Sequence, residues 1–248
     1  MKNSQRISSG VNGLDELIDG GFPPGRVILA TGEPGSGKTI FAVQYLIQGI
    51  TEHDHNGVFV CMEEAKPDLY REMNLFGWDL ETHEKNGKLA FVDATPLRLV
   101  PSRLKVGDLA IDRKDFTTTT LMQAIKTAAE RIHATRISVD SLTSLSLQYQ
   151  DIYQKRIATL DLVGALANTG ATSLVTSELK SPGLKRSLQP EEFLSHGVIV
   201  MQNMRVGTSL TRVLQIMKMR ETACDNQPRP YRITNHGIEV YPSETIFK

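Results

Sequence analysis

Long apolar runs are what this sequence most plainly lacks. No stretch approaches the ~18 apolar residues of a membrane span, and the opening MKNSQRISSG has none of the apolar character of a secretory leader. Both absences predict a cytoplasmic protein with no membrane partner. Cysteine is nearly missing as well. Cys61 and Cys224 stand far apart, which leaves no disulfide framework, and Cys61 inside VFVCM reads as a buried thiol of a reduced compartment. Nor is there an excess of either charge: 28 Lys and Arg against 28 Asp and Glu, with a pI near 7.0, generate no global field toward nucleic acid or anionic lipid. His53 and His55 in TEHDHNG have no second ligand pair at a supporting spacing, so they read as a solvated turn and not a zinc site. The single tryptophan, Trp78 in FGWDL, reads as a packing anchor.

What is present is an alternation. Short runs, mostly apolar on both faces, occur at 26–32 (RVILATG), 57–64 (GVFVCMEE), 88–94, 136–141 (RISVDS), 172–178 (TSLVTSE) and 196–202, and stretches of helical period at 38–51, 65–77, 119–134 and 151–168 separate them. This predicts an α/β fold with a mainly parallel central sheet flanked by helices. Two further runs, 210–220 and 237–242, follow without a long helix between them and predict an antiparallel C-terminal edge. The 248 residues are expected to form one domain, 1–248. Leu121, Ile125, Ala128, Ala129 and Ile132 share one helical face, and Thr120 followed by Gln123 has capping-box spacing. Residues 95–118, with mixed periodicity and two prolines, are expected to be an insertion or long loop.

The first run feeds ATGEPGSGKTIF. Gly32, Gly37, Lys38 and Thr39 satisfy G-x-x-x-x-G-K-[ST] between a predicted strand and a predicted helix, the context in which the pattern cradles phosphates. Glycines let the backbone approach the anion, and the helix presents its positive end to it. The candidate nucleotide-binding residues are therefore Gly32, Glu33, Pro34, Gly35, Ser36, Gly37, Lys38, Thr39 and Ile40. Lys38 would reach the β- and γ-phosphates, and Thr39 would complete a Mg²⁺ shell together with Asp140, which ends RISVDS at the carboxyl edge of a neighbouring strand. Hydrolysis also needs a base, and Glu63 and Glu64 close another interior strand, where packing gives no reason for two carboxylates. Because adjacent strand residues point to opposite faces, one of the pair is expected to face the γ-phosphate. Lys218 and Arg220 in IMKMR fall on one strand face, where two like charges repel unless an anion meets them.

From ISSGVNGLDELIDGGFPPG through FGWDL and RISVDSLTSLSLQYQ to QIMKMRET and YRITNHGIEVYP, the chain resembles the KaiC-like ATPases of the RecA superfamily along nearly its whole length. FGWDL and the KMR segment are its most specific parts. The resemblance implies a RecA-like P-loop core, ATP and Mg²⁺ as cofactors, and a homo-oligomeric ring, usually a hexamer, with ATP at each subunit boundary. It implies that Glu63 and Glu64 are the hydrolytic pair and that Lys218 and Arg220 reach the neighbouring subunit's γ-phosphate. It also places Ser177 and Glu178 where the γ-phosphate is sensed. The phosphoacceptor positions of the self-phosphorylating relatives hold Glu192 and Phe193, which have no hydroxyl, so hydrolysis is favoured, with Ser187 and Ser195 nearby. After KMR the family commonly has Gly-Thr and a histidine, whereas Glu221, Thr222, Ala223 and Cys224 follow here.

The expected function is a slow, ring-forming ATPase that acts as a regulatory or signalling switch, with an unidentified signalling protein as a further partner. One alternative is a recombinase-like ATPase gripping single-stranded DNA with loops 145–153 and 179–190. The second loop carries Lys180, Lys185 and Arg186 but no aromatic residue on which bases could stack. Another is a nucleotide-gated scaffold or a KaiC-type autokinase.

Overall fold

Val27–Gly32 form β1 because every residue of the run is buried, with alternate side chains feeding two cores. Ile28 and Ala30 pack on one face of the sheet, and Val27 and Leu29 on the other. A strand covered on both faces belongs in the middle of a parallel sheet, and β1 lies there. The structure, a computed structural model, describes residues 6–95, 104–106, 109–111, 118–146, 148–149, 151–180 and 188–246.

The elements after β1 are α1 (Lys38–His53), β2 (Gly57–Cys61), α2 (Lys66–Asn74), α3 (Leu80–Lys85) and β3 (Leu89–Asp93). The small strands β4 (Leu104–Val106) and β5 (Leu109–Ile111) come next, followed by α4 (Thr118–Ile132), β6 (Arg136–Asp140), α5 (Leu142–Ser146) and α6 (Ile152–Asn168). The chain ends with β7 (Thr172–Glu178), α7 (Pro190–Leu194), β8 (Gly197–Val206), β9 (Ser209–Met219), β10 (Arg229–Thr234) and β11 (Gly237–Val240). Among the described residues one sheet has the order β11-β10-β9-β8-β1-β7-β6-β2-β3. From β8 to β3 its neighbours are parallel, and from β8 to β11 they are antiparallel. The expected architecture, mainly parallel with an antiparallel C-terminal edge, is therefore the one observed.

Helix α1 lies on one face with α2 and α3, and α4 and α6 cover the other. In α4 the expected apolar face is buried: Leu121, Ile125, Ala128, Ala129 and Ile132. The capping box at Thr120 does not form. The helix starts at Thr118, so Thr120 lies within its first turn and Gln123 donates to Thr127 Oγ1 at 3.4 Å. Trp78 is a packing anchor, stacked on Phe76 with ring centroids 5.0 Å apart. His55 Nδ1 accepts a hydrogen bond from the buried Arg136 Nε at 3.0 Å, and its ring stacks on that of His53 with centroids 5.6 Å apart. Of 95–118, the structure describes only the β4–β5 hairpin and the ends; Ser187, Lys185 and Arg186 lie outside the described residues.

Two boundaries differ from the expectation in ways that matter for the site. Strand β2 stops at Cys61, so Glu63 and Glu64 lie in the bend after it and the opposite-face argument does not govern them. Strand β9 stops at Met219, so Arg220 lies just past its end. The short helices α3, α5 and α7 and strand β10 were not anticipated, being too brief or too proline-broken to carry a period. Among the described residues no helix is long and apolar enough to cross a membrane.

Candidate active site

The carboxyl ends of β1, β7, β6 and β2 lie side by side, and each delivers part of one cleft. From β1 the chain turns through Glu33 to Gly37 and enters α1, with Gly35 at φ 74° and Gly37 at φ 89°. A Cβ at Gly32 would meet Ser36 Oγ at 2.5 Å and the Met201 carbonyl oxygen at 2.6 Å, so this close turn requires glycine. The loop is braced from two strands. Asn203 on β8 donates through its backbone N (3.0 Å) and Nδ2 (2.9 Å) to Glu33 Oε2, and the Tyr231 hydroxyl on β10 donates to the Ser36 carbonyl at 2.6 Å. Sequence reasoning missed both braces, because nothing local marks a contact separated by 170 or 195 residues.

Lys38 reaches back across the loop and donates to the Gly32 and Glu33 carbonyls, each at 3.0 Å. Burial holds its pKa below the usual lysine value, opposed by the carboxylates of Asp140, Glu178, Glu63 and Glu33. The Thr39 hydroxyl donates to Asp140 Oδ2 at 2.7 Å, and Thr176 on β7 donates to Oδ1. Asp140 is buried, which raises its pKa against those two hydrogen bonds. Glu63 Oε1 accepts from Ser141 Oγ and from Ser144 Oγ on α5. Glu64 lies within electrostatic range of Asp140 and of Asp68 and Glu72 on α2. Burial first, then Glu72, Asp140, Asp68 and Glu63, push its pKa up to about 7. At the end of β7, Ser177 Oγ donates to Glu191 Oε1 at 3.1 Å, and Thr143 Oγ1 accepts from the Glu178 backbone N at 2.8 Å.

The residues present suit a nucleoside triphosphate with Mg²⁺. Ser36 Oγ is buried with no hydrogen-bond partner inside the glycine loop, an orphaned polar atom that a phosphate oxygen would satisfy. Thr39 and Asp140 offer hard oxygen donors in contact with one another. An octahedral Mg²⁺ needs only one or two such protein oxygens, its other positions being filled by phosphates and water.

The structure does not bring Lys218 and Arg220 to this cleft. Lys218 pairs across β8 with Val198, and the Arg220 backbone N donates to the His196 carbonyl, whose own backbone N donates to the carbonyl of Val27 at the start of β1. That is the amino edge of the parallel strands, five residues or roughly 16 Å along β1 from Gly32. Lys218 Nζ donates to the Glu192 carbonyl at 2.7 Å, while Arg220 is exposed. Burial and the Arg220 charge lower the Lys218 pKa. Glu192 is buried, its carboxylate accepting from the Gln189 backbone N at 2.9 Å to cap α7. Glu221 follows in the left-handed region at φ 59°, the reason glycine is favoured there, and pairs with Arg26.

A family model described as an ATPase of the KaiC type matches residues 7–245. The circadian clock oscillator protein KaiC of Synechococcus elongatus is 36% identical over 233 residues, 94% of this chain and 43% of that protein. The circadian clock protein KaiC3 of Synechocystis is 35% identical over 244 residues, 98% of this chain and 46% of that protein. The chain thus spans less than half the length of these curated relatives. The crystal structure of a KaiC-like protein from hyperthermophilic Pyrococcus horikoshii superposes with a TM-score of 0.81 at 37% identity, covering 96% of this chain and 99% of that one.

Proposed function

This chain belongs to the KaiC ATPase family, and from that premise we propose that it acts as one ATPase domain that binds ATP with Mg²⁺ at Gly32 to Ile40 and slowly hydrolyses it in a cytoplasmic homo-oligomeric ring, a hexamer, serving as a regulatory switch. The observation that carries this reading is the contact of Thr39 Oγ1 with Asp140 at 2.7 Å, beside Lys38 and next to a Glu63 held by Ser141 and by Ser144 of α5.

The loop glycines and the start of α1 bind and orient the triphosphate, and Lys38 leaves its carbonyl partners for the β- and γ-phosphate oxygens. Thr39 and Asp140 would hold the Mg²⁺, which neutralises charge on the β- and γ-phosphates. Glu64 holds a water for in-line attack and takes its proton. The new bond forms from water oxygen to the γ-phosphorus, the bond from the γ-phosphorus to the β,γ-bridging oxygen breaks, and ADP leaves. A carboxyl group titrating at about 7 is suited to that exchange near neutral pH. Ser141 and Ser144 fix Glu63, which orients the water shell. Lys218 and Arg220 stabilise the same charge on the next subunit's nucleotide.

Self-phosphorylation at the relatives' positions is disfavoured, since Glu192 is committed to capping α7 and Phe193 has no hydroxyl. The test replaces Glu63 and Glu64 together by Gln and follows phosphate release alongside particle mass. Lost release with intact ATP-dependent assembly supports a switch reset by hydrolysis. Unchanged release removes both carboxylates from the chemistry.

A further inference from the structure

Helix α7 is five residues long, yet it is tied at both ends to different functional groups. At its start, Gln189 Nε2 donates to the Glu178 carbonyl at 3.1 Å and to Glu191 Oε1 at 2.8 Å, and Gln189 Oε1 accepts from the Lys180 backbone N at 3.2 Å. Glu191 Oε1 also accepts from Ser177 Oγ at 3.1 Å, and Ser177 lies 3.4 Å from Thr143 Oγ1 on α5. Ser144, the residue after Thr143, and Ser141, just before α5, are the ones that hold Glu63. At the far end of α7, the Glu192 and Phe193 carbonyls accept from Lys218 Nζ at 2.7 and 3.5 Å. A continuous set of polar contacts thus joins Glu63, through α5, the end of β7 and α7, to Lys218.

We infer that α7 is a strut through which the γ-phosphate end of a subunit's own site sets the position of the Lys218 that it lends to the next subunit, with Glu191 as the positioning residue. This rests on the ring reading above. A displacement of Ser177 toward or away from a γ-phosphate would pull on Glu191, and a helix of about 8 Å moves as a rigid body. Lys218 follows because α7 carbonyls hold its ammonium. The coupling therefore runs in one direction round the ring, from the nucleotide state of one site to the rate at the adjoining one. Glu191 also borders a notch of about 150 Å³ with Lys155, Arg156 and Lys180, so its replacement removes a charge as well as an acceptor. Glu191→Gln separates the two, because the amide keeps an acceptor oxygen.

The experiment uses mixed assemblies. A Glu64→Gln chain, which keeps its nucleotide ligands Lys38, Thr39 and Asp140 but does not turn ATP over, contributes only its Lys218 and Arg220 to the rate at a wild-type neighbour. Equimolar mixtures of wild type with Glu64→Gln, with Glu64→Gln/Glu191→Ala and with Glu64→Gln/Glu191→Gln are compared for phosphate release and particle mass. Adding Glu191→Ala is expected to lower kcat at the wild-type sites facing the variant by about fivefold or more without changing KM, and Glu191→Gln to restore it. Equal rates in all three mixtures, with assembly intact, overturn the inference. If the Glu191→Ala chain does not fold, Ser177→Ala in the same Glu64→Gln background takes its place, and an unchanged neighbour rate is again fatal. Failure of the ring reading shows itself differently, as no ATP-dependent assembly in the wild-type and Glu64→Gln mixture.

Discussion

Glu64 is the residue at which function and stability oppose each other. Its carboxyl group titrates at about 7 in the folded chain against an ordinary 4.5, because burial and the acids Glu72, Asp140, Asp68 and Glu63 all disfavour its charge. The folded protein therefore holds more protons than the unfolded one between those values, and stability must fall as pH rises across that interval. The stabilising contribution of the protonated form is complete below 4.5 and is lost as pH climbs through about 7. Glu64→Gln removes the charge and keeps the shape. The nucleotide-free variant should melt at a higher temperature than wild type at pH 8 and near the same temperature at pH 4.5, while its phosphate release falls at least about a hundredfold. Thermal melts at the two pH values, with a release assay, check both halves. A variant no more stable than wild type at pH 8 would show that Glu64 is not strained by its neighbours.

At the scale of elements, the phosphate loop is held in shape by strands far away in sequence. The Tyr231 hydroxyl is buried and donates to the Ser36 carbonyl, and burial keeps it protonated by raising its pKa. Tyr231→Phe leaves that carbonyl without its donor, at a cost of about 1 to 3 kcal/mol. The loop is then less ordered before ATP arrives, so the Kd for ATP should rise severalfold while the maximal rate, which the proposed mechanism assigns to Lys38 and the glutamates, stays close to wild type. Titration calorimetry or a fluorescent ATP analogue would measure it, and unchanged affinity would mean that β10 does not organise the loop. The same contrast explains what the sequence made legible. Gly32 to Thr39 was readable because a glycine turn between a strand and a helix is a local device, and Asp140 because it ends an apolar run. Glu63 and Glu64 were legible as candidates, but their placement was not: β2 ends at Cys61, and in the bend beyond it Glu63 accepts from Ser141 and from Ser144 of α5, while Glu64 feels the charges of Asp68 and Glu72 on α2. Asn203, Tyr231 and Glu191 carry no local period or motif. Their roles arise only when β8, β10 and α7 are brought against the loop and β7.

At the scale of the whole molecule, the question is whether Lys218 and Arg220 meet a phosphate, and from which chain. They lie at the amino edge of the parallel strands, roughly 16 Å along β1 from the loop of their own chain, whereas the charges that bear on Lys38 are Asp140, Glu178, Glu63 and Glu33. A lysine side chain does not bridge that gap, so the two cations act on a nucleotide only if another copy presents it. Head-to-tail contacts of that kind form rings where the rotation between copies closes, and cations supplied in trans are worth about 10³ to 10⁵ in rate. The prediction is complementation. A Lys38→Ala chain and a Lys218→Ala/Arg220→Ala chain should each be inactive alone, the first for want of a phosphate ligand and the second for want of its neighbour's cations. Mixed in equal amounts with ATP and Mg²⁺, they should recover about a quarter of the wild-type rate, the share of boundaries in a random ring that join an intact Lys38 to an intact cation pair. Native mass measurements on the same samples report assembly. No recovery in particles that have assembled would place Lys218 and Arg220 outside the reaction, and recovery to a quarter would locate each catalytic site at the junction of two chains.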